Sequence, residues 1–192
     1  MRRSSYFFTV TQHMAFDIAE GVPRRLRPAF PGLLLAVATL LFGFGLGIVF
    51  GYNEDSIKSR LAASAAAVSV PVYRGDAEAA QAVLAKSWTY MQRAHLHAGG
   101  LGTSAIGLTV VVVLLGTGAA LTRAISVGLG AGSLGYSVFW LWAGFRAPGL
   151  GGTGAAKESL IWLAMPSSGA VVVATAAVFV LLLLALAGRR PG

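Results

Sequence analysis

Four stretches of this chain contain no Asp, Glu, Lys or Arg: residues 28–53, 94–122, 124–145 and 159–188, which hold 26, 29, 22 and 30 residues. About 20 apolar residues in helical form cover the hydrocarbon core of a bilayer. That core offers no water to unpaired backbone groups, so only helices and closed barrels cross it. Barrel strands alternate apolar and polar side chains, whereas these runs are continuous, as in Val110-Val111-Val112-Val113-Leu114-Leu115. The expected fold is therefore all-α, an integral membrane four-helix bundle with a small helical extramembrane cap.

Composition narrows the chemistry. Of 192 residues, 56% are hydrophobic and 11% charged, against about 25% charged in an ordinary soluble domain. The absence of cysteine excludes disulfides, thiolate metal sites and thiol catalysis. The net charge of +8 comes from basic residues that flank the apolar stretches. Their expected partner is membrane lipid, through its headgroups, and not nucleic acid.

The charge pattern divides the chain into a cytoplasmic amphipathic tail (1–29), a first span (30–52), an extracytoplasmic helical segment (53–92), a second span (93–121), a third (124–145), an extracytoplasmic loop (146–157), a fourth span (158–188) and a cytoplasmic end (189–192). Arg2 and Arg3 precede an apolar run, Tyr6-Phe7-Phe8-Thr9-Val10, that is too short for a secretory signal, and Asp17 and Glu20 follow it. The first span reads as an uncleaved anchor. Arg24, Arg25 and Arg27 abut it, which by the positive-inside rule puts both termini in the cytoplasm, with a bacterial inner membrane as the expected location. Asn53-Glu54-Asp55 and Gly75-Asp76 are helix-start signals, and Val70-Pro71 separates the helices they begin. Val83, Leu84, Trp88 and Met91 recur at helical spacing, giving an apolar face that rests on the membrane or a neighbour. Pro166 is expected to kink the fourth span.

Glycine marks close packing. Gly43, Gly47 and Gly51 are spaced by four, as are Gly128 and Gly132. Such stripes let helix backbones approach or make room for a flat cofactor or lipid.

Ionisable side chains at membrane depth are costly and usually functional, which singles out His95 and His97. Positions i and i+2 lie roughly 200° apart on a helix, so one metal ion is not easily held by both. His95 shares a face with Met91, Gly99 and Gly102, where the glycines leave a slot for a haem plane or a closely packed helix. His97 shares its face with Arg93, Gly100, Leu101 and Ser104. Trp88, Trp140, Trp162, Glu54 and Glu158 are expected at the same boundary, either as an aromatic belt with ordinary boundary charges or as the wall of an outer-leaflet pocket. In the second case Glu158 or Glu54 orients the imidazole. The candidate cofactor-binding residues are thus His95, His97, Met91, Gly99 and Gly102, with His95 and His97 as candidate metal ligands and Arg93 and the boundary residues as the surrounding pocket. The stretch Gly149-Leu150-Gly151-Gly152-Thr153-Gly154-Ala155-Ala156-Lys157 superficially looks like a phosphate-binding loop. It lacks the Gly-Lys-Ser/Thr ending and no strand precedes it.

Arg93-Ala94-His95-Leu96-His97, heading a glycine-bearing span, resembles a helix start in small membrane proteins related to subunit I of haem–copper oxidases. The resemblance covers about ten residues and implies that one histidine, here His95, ligates a haem b or a metal ion. The family supplies a second axial histidine from another helix, whereas the only other histidine here is His13. A haem would then need Met165, a partner subunit or an open coordination position.

Asp, Glu, Lys and Arg are absent from the four windows, which disfavours a small ion-coupled transporter. The 40-residue segment at 53–92 is too small for a catalytic domain, so the chain is not expected to be an enzyme on its own. The expected function is an accessory subunit packed against other membrane-protein subunits, of the electron-transfer kind. The alternative is a stand-alone membrane protein that binds a lipid, a quinone-like molecule or another small ligand in an outer-leaflet pocket.

Overall fold

The structure, a computed structural model, describes residues 24–188. The expected amphipathic tail, apart from its last residues, and the basic end at 189–192 fall outside the described residues. A 3-10 turn at Arg27–Ala29 leads into helix α1, Phe30–Ala66. It is followed by α2, Ala77–Leu114, α3, Ala119–Arg146, the short α4, Thr153–Glu158, and α5, Ile161–Leu186. Helices α1, α2, α3 and α5 are long and apolar enough to cross a membrane. The protein is a helical bundle of the integral membrane type, and the described residues contain no strand.

Helix α3 sits at the centre. It packs against α1, α2 and α5, while α1 and α2 also pack on each other. The share of the apolar window buried inside the protein is 44% for α3 but 22% for α1 and 17% for α5. The outer faces of α1 and α5 are therefore the lipid-facing ones, with Leu34, Leu41, Phe44 and Phe179 exposed on them.

Small residues set the crossings. A Cβ on Gly130 would lie 2.5 Å from the carbonyl oxygen of Gly32 and 2.8 Å from Leu35 Cβ, so α1 and α3 touch backbone to backbone there. On the other side of α3, a Cβ on Gly132 would come within 2.7 Å of Ser167 O and Val171 Cγ2 of α5. Buried hydroxyls turn back to their own helices: Thr39 Oγ1 donates to Leu35 O at 2.8 Å and Ser137 Oγ to Ser133 O at 2.8 Å. Ser133 Oγ likewise donates to Leu129 O at 2.6 Å. This back-bonding satisfies a hydroxyl in an apolar interior, and Ser133 Oγ also reaches Leu101 O of α2 at 3.4 Å.

Helices α1 and α2 continue past the membrane as an antiparallel hairpin. Helix α1 bends at Asn53, which has non-helical torsions (φ −126°, ψ 19°). The Asn53-Glu54-Asp55 start signal thus sits at a joint between two helical segments. Asp76 caps α2, its carboxylate accepting from Ala79 N at 2.9 Å, and the helix then runs unbroken for 38 residues. The turn to α3 falls at residues 115–118, ahead of Arg123, because Gly116 takes a left-handed conformation (φ 70°) that ends α2. Helix α5 runs continuously through Pro166. That proline lies in the second turn, where it removes a single backbone donor.

The loop after α3 climbs beside the hairpin. Tyr73 donates its hydroxyl to Pro148 O at 2.7 Å, tying the hairpin tip to that loop. Burial pushes the pKa of Tyr73 above its ordinary value. Because the neutral phenol is the donor, this stabilisation is complete below the unfolded value of about 10 and is lost as pH rises through the folded value. Tyr73→Phe is expected to lower stability by about 1 kcal/mol at neutral pH and to flatten the alkaline fall in detergent unfolding. An unchanged alkaline slope in the variant would contradict this contribution.

Candidate functional site

Along α2 the residues Met91, Ala94, Ala98, Gly102, Ala105 and Thr109 form one buried line. His95 and His97 flank this line on opposite sides. His95 turns to α1, where its Nδ1 lies 2.8 Å from Gly43 O. His97 turns to α3, with its ring centroid 5.3 Å from that of Tyr136 and 5.8 Å from that of Trp140. The two imidazoles do not share a coordination sphere, and no group of three His, Cys, Asp or Glu suited to a metal ion occurs among the described residues. Each ring is held against a different neighbouring helix, as the roughly 200° between positions i and i+2 of a helix implies.

The slot expected beneath His95 is occupied by helix α1. A Cβ on Gly102 would meet Leu40 Cδ2 at 3.0 Å and Ala36 O at 3.3 Å. Near Gly99, a Cβ on Gly43 would lie 2.9 Å from Ala98 Cβ and 3.3 Å from Gly99 N. Met91 is fully buried in the core with Leu46, Phe50, Ile57 and Leu61, and a Cβ on Gly144 of α3 would lie 2.6 Å from its Cγ. Met91 and Gly102 therefore make helix contacts, whereas a Cβ on Gly99 would meet nothing within 4 Å. At Gly102, though not at Gly99, a closely packed helix fills that face.

What remains open is a groove higher on the α1–α2 seam. It has a volume of about 420 Å³ and is lined by Gly47, Phe50, Gly51, Glu54, Trp88, Gln92, His95 and Leu96. Gly47 makes the imidazole's place: a Cβ there would sit 3.0 Å from His95 Cε1, whereas one on Gly51 would meet nothing within 4 Å. The Phe50 and Trp88 rings form an aromatic wall, 5.3 Å apart and tilted by 58°. Glu54 is ion-paired with Lys58 one turn further along α1. A second hollow of about 450 Å³ continues from Trp88 towards the hairpin tip between Lys58, Leu61, Gln81 and Leu84. Gly43 and Gly47 lie ten and six residues before Asn53, about 15 and 9 Å down the helix at 1.5 Å per residue. His95 therefore sits below the level of the joint, within the apolar length of α1.

On the other flank Arg93 lies over two rings, with Cζ 5.4 Å from the Tyr90 centroid and 5.1 Å from that of Trp140. Tyr136 and Phe139 complete this cluster. Trp140 Nε1 is buried without a hydrogen-bond partner.

The expected wall of boundary residues is divided by this geometry. Trp88 and Glu54 belong to the His95 groove, and Arg93 and Trp140 to the His97 cluster. Trp162 stands elsewhere, edge-on to Trp142 at 6.0 Å on α5 and α3. Glu158 is exposed on α4. Phe50, Gly51 and Gln92 were not singled out as site residues from sequence, although the spacing of Gly43, Gly47 and Gly51 marked one side of the groove.

Two donors to one haem are not brought together. His97 faces α3, and Met165 is 66% exposed on α5, which packs on α3. The residues present do not fit a haem with two protein axial ligands.

No protein-family profile matches the chain, and comparison with curated proteins and with solved structures finds no match.

Proposed function

We propose that this chain is a membrane protein that binds a small amphipathic molecule in the α1–α2 groove at His95. One observation carries the reading: an imidazole bonded through Nδ1 to Gly43 O stands in a glycine-floored hollow of about 420 Å³ at membrane depth. Small-ligand sites are typically hollows of this size, apolar with a few polar groups. An imidazole ring nitrogen without a partner in lipid is costly, and a bound headgroup removes that cost. The positive-inside rule, applied to Arg24, Arg25, Arg27 and Arg123, favours a cytoplasmic position for the opposite end of the bundle. The groove then opens in the non-cytoplasmic leaflet.

Organic extraction of protein purified in mild detergent, read by mass spectrometry, tests the proposal. One lipophilic species per chain, enriched over bulk lipid, is expected in the natural protein and absent from Gly51→Leu. That variant fills the groove where no atom stands in the way. An extract matching bulk lipid in both proteins would contradict the reading. A Soret band lost in His95→Ala would replace it with the haem reading that the family resemblance implies.

A second reading, an accessory subunit of a larger membrane complex, is favoured by the hairpin tip. Val70 is 74% exposed and Val72 41%, beyond the reach of the hydrocarbon that covers α1 and α5. Co-purification with other subunits at fixed stoichiometry tests this reading, and a monodisperse chain with no partner counts against it.

A further inference from the structure

A backbone carbonyl accepts hydrogen bonds and cannot donate them. The 2.8 Å contact of His95 Nδ1 with Gly43 O therefore places the proton of the neutral ring on Nδ1. The neutral ring is also the form that costs least at membrane depth. Its Nε2 is then a bare lone pair. Among the described residues that nitrogen has no hydrogen-bond partner, and it is not sealed within the protein. The polar centre of the groove is thus an acceptor. A ligand that carries only carbonyl or ether oxygens would set lone pair against lone pair.

The surrounding shape asks for a flat ring. Gly51 leaves the floor bare beside the His95 ring, which lies over Gly47, and Phe50 and Trp88 supply an aromatic wall. Leu96, 66% exposed, carries the groove out to the lipid-facing surface, where an apolar tail can lie. Glu54 places a carboxylate, another acceptor, on the same groove. Resting on the reading of this groove as a ligand site, we infer that it selects a lipid-soluble hydroquinone over the corresponding quinone. The hydroquinone's ring hydroxyl donates to His95 Nε2, which the quinone carbonyl cannot do.

Calorimetry on the full chain in lipid nanodiscs, corrected for empty discs and run without oxygen, separates the alternatives. Three probes share a ring and a decyl tail: the hydroquinone, the quinone and the hydroquinone dimethyl ether. The ether keeps the shape and loses the donors. The hydroquinone is expected to bind about tenfold more tightly than either of the others, or about 1.4 kcal/mol. His95→Ala is expected to erase the difference. Should that variant fail to fold, the three-probe comparison on the natural protein still decides. Equal affinities for hydroquinone and quinone would overturn the selection while leaving the groove a ligand site. No binding of any probe above empty discs would also overturn it, and the mass-spectrometric extraction would then show whether a different ligand occupies the groove.

Discussion

Gly47→Leu is expected to abolish ligand binding and to destabilise the bundle, whereas Gly51→Leu abolishes binding alone. The two positions are one helical turn apart on α1 and line the same groove, but they meet different surroundings. A Cβ at Gly47 would already touch His95, 3.0 Å from Cε1 and 3.4 Å from Nδ1. A leucine side chain needs the volume that the imidazole fills, so the ring must leave and its bond to Gly43 O is lost. Overpacking of this kind costs about 1–3 kcal/mol, and the lost hydrogen bond adds about 1 kcal/mol. At Gly51 the added atoms enter empty space, and stability is expected to change by no more than about 0.5 kcal/mol. Unfolding in detergent measured beside ligand content checks both halves. Equal stability losses, or retained ligand in both variants, would contradict the assigned geometry.

A stability effect of similar size is expected at the α1–α3 crossing. In Gly130→Ala a single methyl group meets atoms that cannot swing aside: the backbone at Gly32 O (2.5 Å) and Ala36 N (3.2 Å), and Leu35 Cβ at 2.8 Å. The helices must separate, loosening the cluster of Ala36, Ala105, Ile125 and Leu129 packed around the crossing. A loss of about 3 kcal/mol is expected, at the upper end of what overpacking costs. Gly128→Ala is the control, because its Cβ would meet Ala174 Cβ at an ordinary 3.4 Å and should change stability by less than about 1 kcal/mol. Thermal unfolding of the two variants in one detergent compares them, and similar losses would mean that the crossing is not backbone-tight.

The spans were legible in the sequence because transfer into hydrocarbon is a sum over some twenty residues, and four windows without charge leave no other outcome. Single backbone events were harder to read. The turn between α2 and α3 depends on Gly116, one of 25 glycines, and the nearest charge, Arg123, drew the boundary too far along the chain. The two histidines stood out because charge and polarity are rare in these helices, and helical geometry separated them correctly. What His95 bonds to could not be read, since its partner is the main-chain carbonyl of Gly43 and carbonyls leave no mark in sequence. Met91 was grouped with His95 by spacing, yet it belongs to the buried line beside it. Forty degrees of rotation between i and i+4 is enough to move a side chain from a groove into the core.

Nitrogen-15 spectra of protein labelled at histidine test the central claim most directly, with His95→Ala assigning the signal among His13, His95 and His97. His95 is expected to carry its proton on Nδ1 and to leave Nε2 bare. The Nε2 resonance is also expected to shift when the hydroquinone is added. A proton found on Nε2, or an Nε2 resonance unmoved by the hydroquinone, would contradict that claim.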